Sequence, residues 1–388
     1  MPLIYLLAGE ASGDVLGARL IAALRRLRPD AEFAGVGGPR MEEQGFQSLH
    51  PLADLAVMGL VEVVPRLRTI NRRFRQTIAD LDRLRPDVLV TIDSPSYNRH
   101  VLKKATARGI PRVHYVAPQV WAWREDRVRR YPGLWDKLLC LLPFEPAWFA
   151  ARGIESAFVG HPVLESGAGL GDAGRFRQRH GLGERQPVLV LMPGSRRSEA
   201  PKLLPVFGRT LAILARQAPD LRPVLPVSPV VAEVVRRAAA SWAAPPIIVT
   251  ELEDKHDAYA AAGVALTKSG TSTLELALAG VPMAVTYRVN PVSAAMARRM
   301  IRVPYVAMVN LLAGRKVVPE LLQEDCTPEK LAATVLELLS DGAAAASQRE
   351  AFLGVLESLR PPAGLPSDAA AREVLHVLDQ AGGDREAA

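Results

Sequence analysis

Apolar residues along this chain gather in short, nearly continuous runs, separated by longer stretches with apolar positions every three to four residues. The runs fall at 3–8, 32–36, 87–92, 112–116, 137–142 and 157–159, with helical spacing over 14–27, 69–84 and 97–108. A short apolar run without alternation predicts a strand buried on both faces. Such strands alternating with helices predict a parallel sheet covered on both sides.

The rhythm stops over a polar, Gly-rich gap at 165–186 and restarts with runs at 187–192, 222–226, 247–249, 264–267 and 283–286. The fold class is therefore α/β, with two Rossmann-like domains expected at 1–165 and 166–360. The C-terminal part reads as helices over 330–339, 346–359 and 368–378, with a break at Pro361-Pro362. Residues 361–388 are assigned to a C-terminal helix that could pack back on the first domain, with 382–388 frayed. Open parallel sheets bind ligands beyond the carboxyl ends of their strands, and a tandem pair forms a cleft. The chemistry is therefore sought in loops that follow strands.

A chain of 388 residues suits two domains, and 49% apolar with 23% charged residues is ordinary for a globular protein. Cys140 and Cys326 are far apart and form no Cys-x-x-Cys pattern, which fits a reducing compartment. No apolar run reaches the ~18–20 residues that span a bilayer. The run from Pro2 to Ala8 lacks a basic flank and leads straight into Gly9-Glu10, so it reads as a first strand. The net charge of +7 suits phosphorylated substrates, anionic lipid or nucleic acid. Only 5% of residues are aromatic, and no zinc finger, RNP-like or helix-turn-helix pattern is present, so no nucleic-acid partner is expected.

Six loops carry candidate chemistry. Lys268-Ser269-Gly270-Thr271, with Glu275 one turn into the next helix, follows a buried run. A strand feeding a Gly/Ser/Thr loop into a helix start is an anion site, and a carboxylate one turn on suits a ribose diol. The same residues would also serve as a simple helix cap. Pro193-Gly194-Ser195-Arg196-Arg197-Ser198-Glu199 follows the first strand of the second domain. There Gly194 permits close backbone approach and Arg196 offers a forked donor to phosphate.

Gly9-Glu10-Ala11-Ser12-Gly13-Asp14 follows the first strand; its spacing is not G-x-G-x-x-G, and its two acids suit sugar hydroxyls better than a pyrophosphate, or it is a glycine turn with Asp14 as a helix-start residue. Asp93-Ser94-Pro95-Ser96-Tyr97-Asn98 follows a central strand, and Asp93 at its end is where a general base for an incoming hydroxyl belongs; Asp93 or Ser94 would also serve as a helix cap. The segment from His114 to Arg124 holds Trp121 and Trp123, which could stack on a sugar, border an acyl chain or pack at a junction. Asn310-Leu311-Leu312-Ala313-Gly314-Arg315, in the second domain, suggests donor contact. The seven histidines include no His-Glu-x-x-His pattern, so chemistry without metal or cofactor is expected.

Taken together, these motifs resemble the lipid-A-disaccharide synthases, inverting glycosyltransferases of GT-B architecture. The resemblance also rests on Leu142-Pro143-Phe144-Glu145 and Gly160-His161-Pro162, and runs in order over 3–326. It implies that UDP-2,3-diacylglucosamine donates its sugar to the 6-hydroxyl of 2,3-diacylglucosamine 1-phosphate (lipid X), giving a β-1,6-linked disaccharide 1-phosphate and UDP. On that basis Asp93 is the expected base, with Glu10 and Asp14 as the other catalytic candidates and the roles among the three acids open; Glu10, Ser12, Gly13 and Asp14 lie on the acceptor side. Gly194, Ser195, Arg196, Ser269, Gly270 and Thr271 would hold the diphosphate, and Glu275 the ribose.

Acylated substrates call for a greasy, basic surface. Residues 57–75 offer one: Val57, Met58, Leu60, Val61, Val63, Val64, Leu67, Ile70 and Phe74 interleave with Arg66, Arg68, Arg72, Arg73 and Arg75, and Pro65 must start or break a helix there. The expected location is cytoplasmic, peripheral on the inner face of the inner membrane. Rival readings are an N-acetylglucosaminyltransferase or UDP-sugar 2-epimerase of the same architecture, an NAD-dependent oxidoreductase, and a non-enzymatic basic binding protein.

Overall fold

The computed structural model describes residues 1–55, 60–196, 199–290, 294 and 300–387. They form two compact units: residues 1–162 with 359–388, and residues 163–358.

In the first unit, β1 (Leu3–Ala8), β2 (Glu32–Val36), β3 (Val88–Ile92), β4 (Arg112–Tyr115), β5 (Lys137–Cys140) and β6 (Ser156–Phe158) form a parallel sheet in the order β2-β1-β3-β4-β5-β6. Period-two geometry splits each apolar run between two cores. Ile4, Leu6 and Ala8 face one cluster with Val88, Val90 and Ile92, while Tyr5, Leu7 and Leu89 face the other. That double burial is why the runs lack polar alternation.

The C-terminal helix Pro366–Ala387 lies along the helix Ala11–Leu27 and against β3, β4 and β5. Its Ala370, Ala371, Val374 and Leu378 belong to the same core as Leu20 and Leu24. The ion pairs Arg26–Asp368 and Arg28–Asp379 sit at the surface, where such pairs contribute little. The joint is tight: His161 N–H donates to Leu359 O at 3.0 Å, and Gly160, at φ +81°, leaves no room for a Cβ beside Pro361.

In the second unit, β7 (Val188–Met192), β8 (Arg222–Pro226), β9 (Ile247–Val249), β10 (Val264–Lys268), β11 (Met283–Tyr287) and β12 (Glu320–Leu322) run in the order β12-β11-β10-β7-β8-β9, again parallel. Each sheet has one place where the strand order reverses direction: between β1 and β3, and between β7 and β10. Loops leaving such a pair diverge to opposite faces and open a ligand crevice.

Several expectations needed correction. The first helix begins at Ala11, so Ser12, Gly13 and Asp14 form its first turn rather than a loop. The helix Leu60–Leu84 passes through Pro65, neither starting nor breaking there; so near the N-terminus, a proline removes only one rung of the ladder. The polar gap at 165–186 contains the helix Ala173–His180. Its signals are local: Asp172 accepts from Arg175 N–H at its start, and Gly181, at φ +64°, ends it. The last helix continues through 382–387, where Arg385, Glu386 and Ala387 are good helix formers.

Candidate active site

At the switch point of the first sheet, β1 and β3 end in register, Ala8 beside Ile92. Gly9 and Asp93 therefore leave the sheet side by side. Asp93 and Ser94 both adopt left-handed backbone, at φ +51° and +46°. Side chains disfavour that region by roughly 1–2 kcal/mol each, so the turn must be held from outside. It is held by the Asp93 N–H on Tyr115 O at 2.9 Å, by Ser94 N–H on Asp93 Oδ1 at 2.8 Å, and by Asn98. Asn98 is fully buried and donates to the carbonyls of both Ile92 and Asp93. Asp93 itself is half-buried at the end of a central strand.

The neighbouring acids differ in duty. Glu10 precedes the helix Ala11–Leu27 in extended backbone, makes no capping bond with its side chain, and is half-buried. Asp14 is buried, and both its oxygens serve the loop after β2: Gly38 N–H and Met41 N–H on Oδ1 at 2.8 and 3.0 Å, Arg40 N–H on Oδ2 at 3.0 Å. Asp14 thus shapes the loop, while Ser12 is exposed beside it and Gly13 is buried against β3.

The two tryptophans part company. Trp121 is buried, edge-on to Phe144, and donates from Nε1 to Glu145 Oε1 at 3.0 Å; no face of its ring is offered for stacking. Trp123 is 44% exposed and lies under the guanidiniums of Arg124 and Arg127. Glu145 also accepts from Leu141 and Leu142 N–H. Burial outweighs these three donors and pushes its carboxyl up to about 7.

At the second switch point, Met192 pairs with Thr267, so the loops after β7 and β10 also emerge as neighbours. Gly194 sits at φ +104°, and Ser195 and Arg196 are exposed. Lys268 ends β10 and meets Glu199 at 3.0 Å, while Arg196 meets the same Oε1 at 3.1 Å. Gly270, at φ +153°, and Thr271 face solvent, and a Cβ on Gly270 would meet nothing within 4 Å. The helix Ser272–Leu278 that follows is short, so among the described residues Lys268 and Arg196 supply the main positive charge here. Arg197 and Ser198 lie outside the described residues.

Glu275 is fixed by Lys255 Nζ at 2.8 Å and Tyr259 Oη at 3.1 Å, both on Oε2. Burial, and then the Glu275 carboxylate, raise the Tyr259 hydroxyl well above its ordinary range and keep it a donor. Asn310 is placed differently from its expected ligand contact. It is buried, accepts from Val317 and Val318 N–H at 2.8 Å, and donates to Val318 O and Glu320 Oε1 at 2.9 Å, so its amide has no group left over. Glu320 in turn accepts from Val306 and Ala307 N–H, and Ser269 Oγ donates to Val306 O at 2.7 Å. Asn310 therefore reaches the Ser269 loop through this chain of bonds.

The sequence alone does not single out Lys255, Tyr259 or Glu320, and it places Asn98 only as the last residue of the Asp93 loop. The usable local signal was Asn98, three residues into a helix that starts with Pro95.

Two parallel α/β units with loops gathered at their switch points define the GT-B architecture. A UDP-GlcNAc 2-epimerase from Neisseria meningitidis, solved bound to UDP-GlcNAc, has a similar fold at 13% identity and TM-score 0.65, over 97% of this chain and 100% of that one. MurG of Acinetobacter baumannii matches at 16% identity and TM-score 0.56, over 99% and 100%. The lipid-A-disaccharide synthetase family model matches residues 4–373. The lipid-A-disaccharide synthase of Gluconobacter oxydans is 62% identical over 377 residues, 97% of this chain and 91% of that protein. The chain belongs to the lipid-A-disaccharide synthase family, glycosyltransferases of lipid A biosynthesis, and the resemblance read from its motifs holds.

Proposed function

We propose that the chain transfers the sugar of UDP-2,3-diacylglucosamine to the 6-hydroxyl of 2,3-diacylglucosamine 1-phosphate. The observation that carries the catalytic assignment is the strained Asp93-Ser94 turn at the switch point, since strain of that kind persists where a group must be aimed. Asp93 takes the proton of the 6-hydroxyl as its oxygen bonds to the anomeric carbon. The bond from that carbon to the UDP phosphate oxygen breaks in the same displacement, inverting the α-linked donor to a β-linked product.

UDP leaves as an anion. Arg196, Lys268 and the backbone from Ser269 to Thr271, with Gly194 and Ser195, stabilise that charge. Glu275, steadied by Lys255 and Tyr259, takes ribose hydroxyls through Oε1. Glu10 and Ser12 line the acceptor side, Asp14 shapes it, and Trp123 offers a ring for the sugar or acyl chain.

The acyl chains are supplied from a membrane. Among the described residues no helix is long and apolar enough to cross one. In the helix Leu60–Leu84, Leu67, Arg68, Arg72 and Arg75 are exposed, while Phe74 packs edge-on to Tyr97 and Arg73 pairs with Asp54. Val57 and Met58 lie outside the described residues, as do the side chains of 60–66. Exposed leucine among arginines supports peripheral contact with anionic lipid.

The test is UDP release from UDP-2,3-diacylglucosamine in detergent and EDTA, with and without lipid X. Release that needs lipid X and yields a disaccharide 1-phosphate supports the proposal. Release without lipid X, or none at all, sinks the substrate assignment.

A further inference from the structure

The Lys268–Glu199–Arg196 cluster contains a carboxylate where a diphosphate is to bind, and that is opposite to what simple attraction requires. Glu199 Oε1 accepts from Lys268 Nζ at 3.0 Å and from Arg196 Nη1 at 3.1 Å. The two cations come from different strands of the switch point, Lys268 from the end of β10 and Arg196 from the loop after β7. One oxygen thus ties the two loops together. Its mate is accommodated by Gly194: a Cβ there would lie 3.0 Å from Glu199 Oε2. The Lys268 ammonium lies 5.5 Å from the Tyr287 ring, so its place is set from two sides. Glu199 and Lys268 are 16% and 18% exposed, Arg196 54%, so the inner pair is poorly screened by water.

We propose that Glu199 is an internal counter-ion for the diphosphate of a nucleoside diphosphate. It keeps Arg196 and Lys268 from repelling each other and aims both at one point. A phosphate then takes over the two cations from it. The inference rests on the reading that the donor's diphosphate binds these two loops. Its consequence is moderated affinity: the cluster carries net +1 with Glu199 and would carry +2 without it, so the charge that helps UDP leave the sugar does not also trap free UDP. Glu199 is a positioning residue in this scheme and touches no reacting atom.

A purely structural glutamate predicts the opposite sign, because losing the tie would scatter the cations and weaken UDP binding. Titration calorimetry of the full chain with UDP and with uridine separates the two, using Glu199→Gln, whose amide oxygen keeps an acceptor for both cations without the charge, with Glu199→Asn as the second variant should the first not fold. We expect UDP to bind the variant about 3- to 10-fold more tightly, with steeper salt dependence, as an added net charge near a dianion implies. Uridine, which lacks phosphate, should bind unchanged, and product inhibition by UDP should strengthen in parallel. Weaker or unchanged UDP binding in the variant overturns the counter-ion role. Failure of the unmodified protein to bind UDP would instead overturn the donor-site reading.

Discussion

Gly9 and Ser94 fit together with no space for one more carbon: a Cβ placed on Gly9 would lie 2.2 Å from Ser94 Cβ and 2.5 Å from its Oγ. The turn that presents Asp93 is thus wedged against the end of β1. Gly9→Ala should displace the Asp93-Ser94 turn, costing about 1–3 kcal/mol of stability as overpacking does. It should lower kcat more than tenfold while UDP affinity, which the proposal assigns to the other unit, stays within twofold. Urea denaturation, turnover and UDP titration check the three parts together.

Asp14 and Asn310 both hold loops through backbone N–H groups. Asp14→Ala strips the acceptor from Gly38, Arg40 and Met41 N–H groups. A loss of about 2–4 kcal/mol is expected, since buried donors left unpaired cost about 1–3 kcal/mol each and some regain water. Asn310→Ala should act on the donor side, raising KM for the UDP-sugar through the Val306–Ser269 connection while KM for lipid X holds. A rise in the acceptor KM instead would place Asn310 wrongly.

Glu145 makes a prediction about pH. Its carboxyl is ordinarily half-ionised at 4.5 and is raised to about 7 by burial. Between these values the folded protein holds a proton that the unfolded chain releases. Its contribution to stability is therefore full below pH 4.5 and is lost as pH rises through 7. Glu145→Gln lacks this dependence, and the buried histidines affect both proteins equally. The stability of the variant relative to the parent should rise by up to about 3 kcal/mol from pH 4.5 to 7 and then level off. Tm measured across that range for both proteins decides it; parallel curves would contradict the assignment.

Much of the fold was legible because both sheets are covered on both faces, so their strands appear as uninterrupted apolar runs such as Leu3–Ala8 and Val188–Met192. Most of the candidate loops were legible too, since they follow such a run, whereas Asn310 lies in the helix Met308–Ala313. The duty of each polar residue within them was not. Nothing local says that Asp14 will meet the backbone of residues 38–41, or that Trp121 will turn inward onto Glu145 while Trp123 stays out. Those outcomes depend on which strands become neighbours. The Glu199–Lys268 pair joins residues 69 apart in sequence, brought together only because β7 and β10 adjoin.

Asp93 as the base for the acceptor hydroxyl is the claim on which the mechanism turns. Its most direct test is the acceptor-dependent turnover of Asp93→Ala, with UDP affinity measured on the same preparation. Losing a general base costs about 10²–10⁴-fold in kcat. The account predicts a loss of that size with UDP affinity within twofold of the parent. Turnover within tenfold of the parent would contradict it and move the role to another acid, with Glu10 first to be examined.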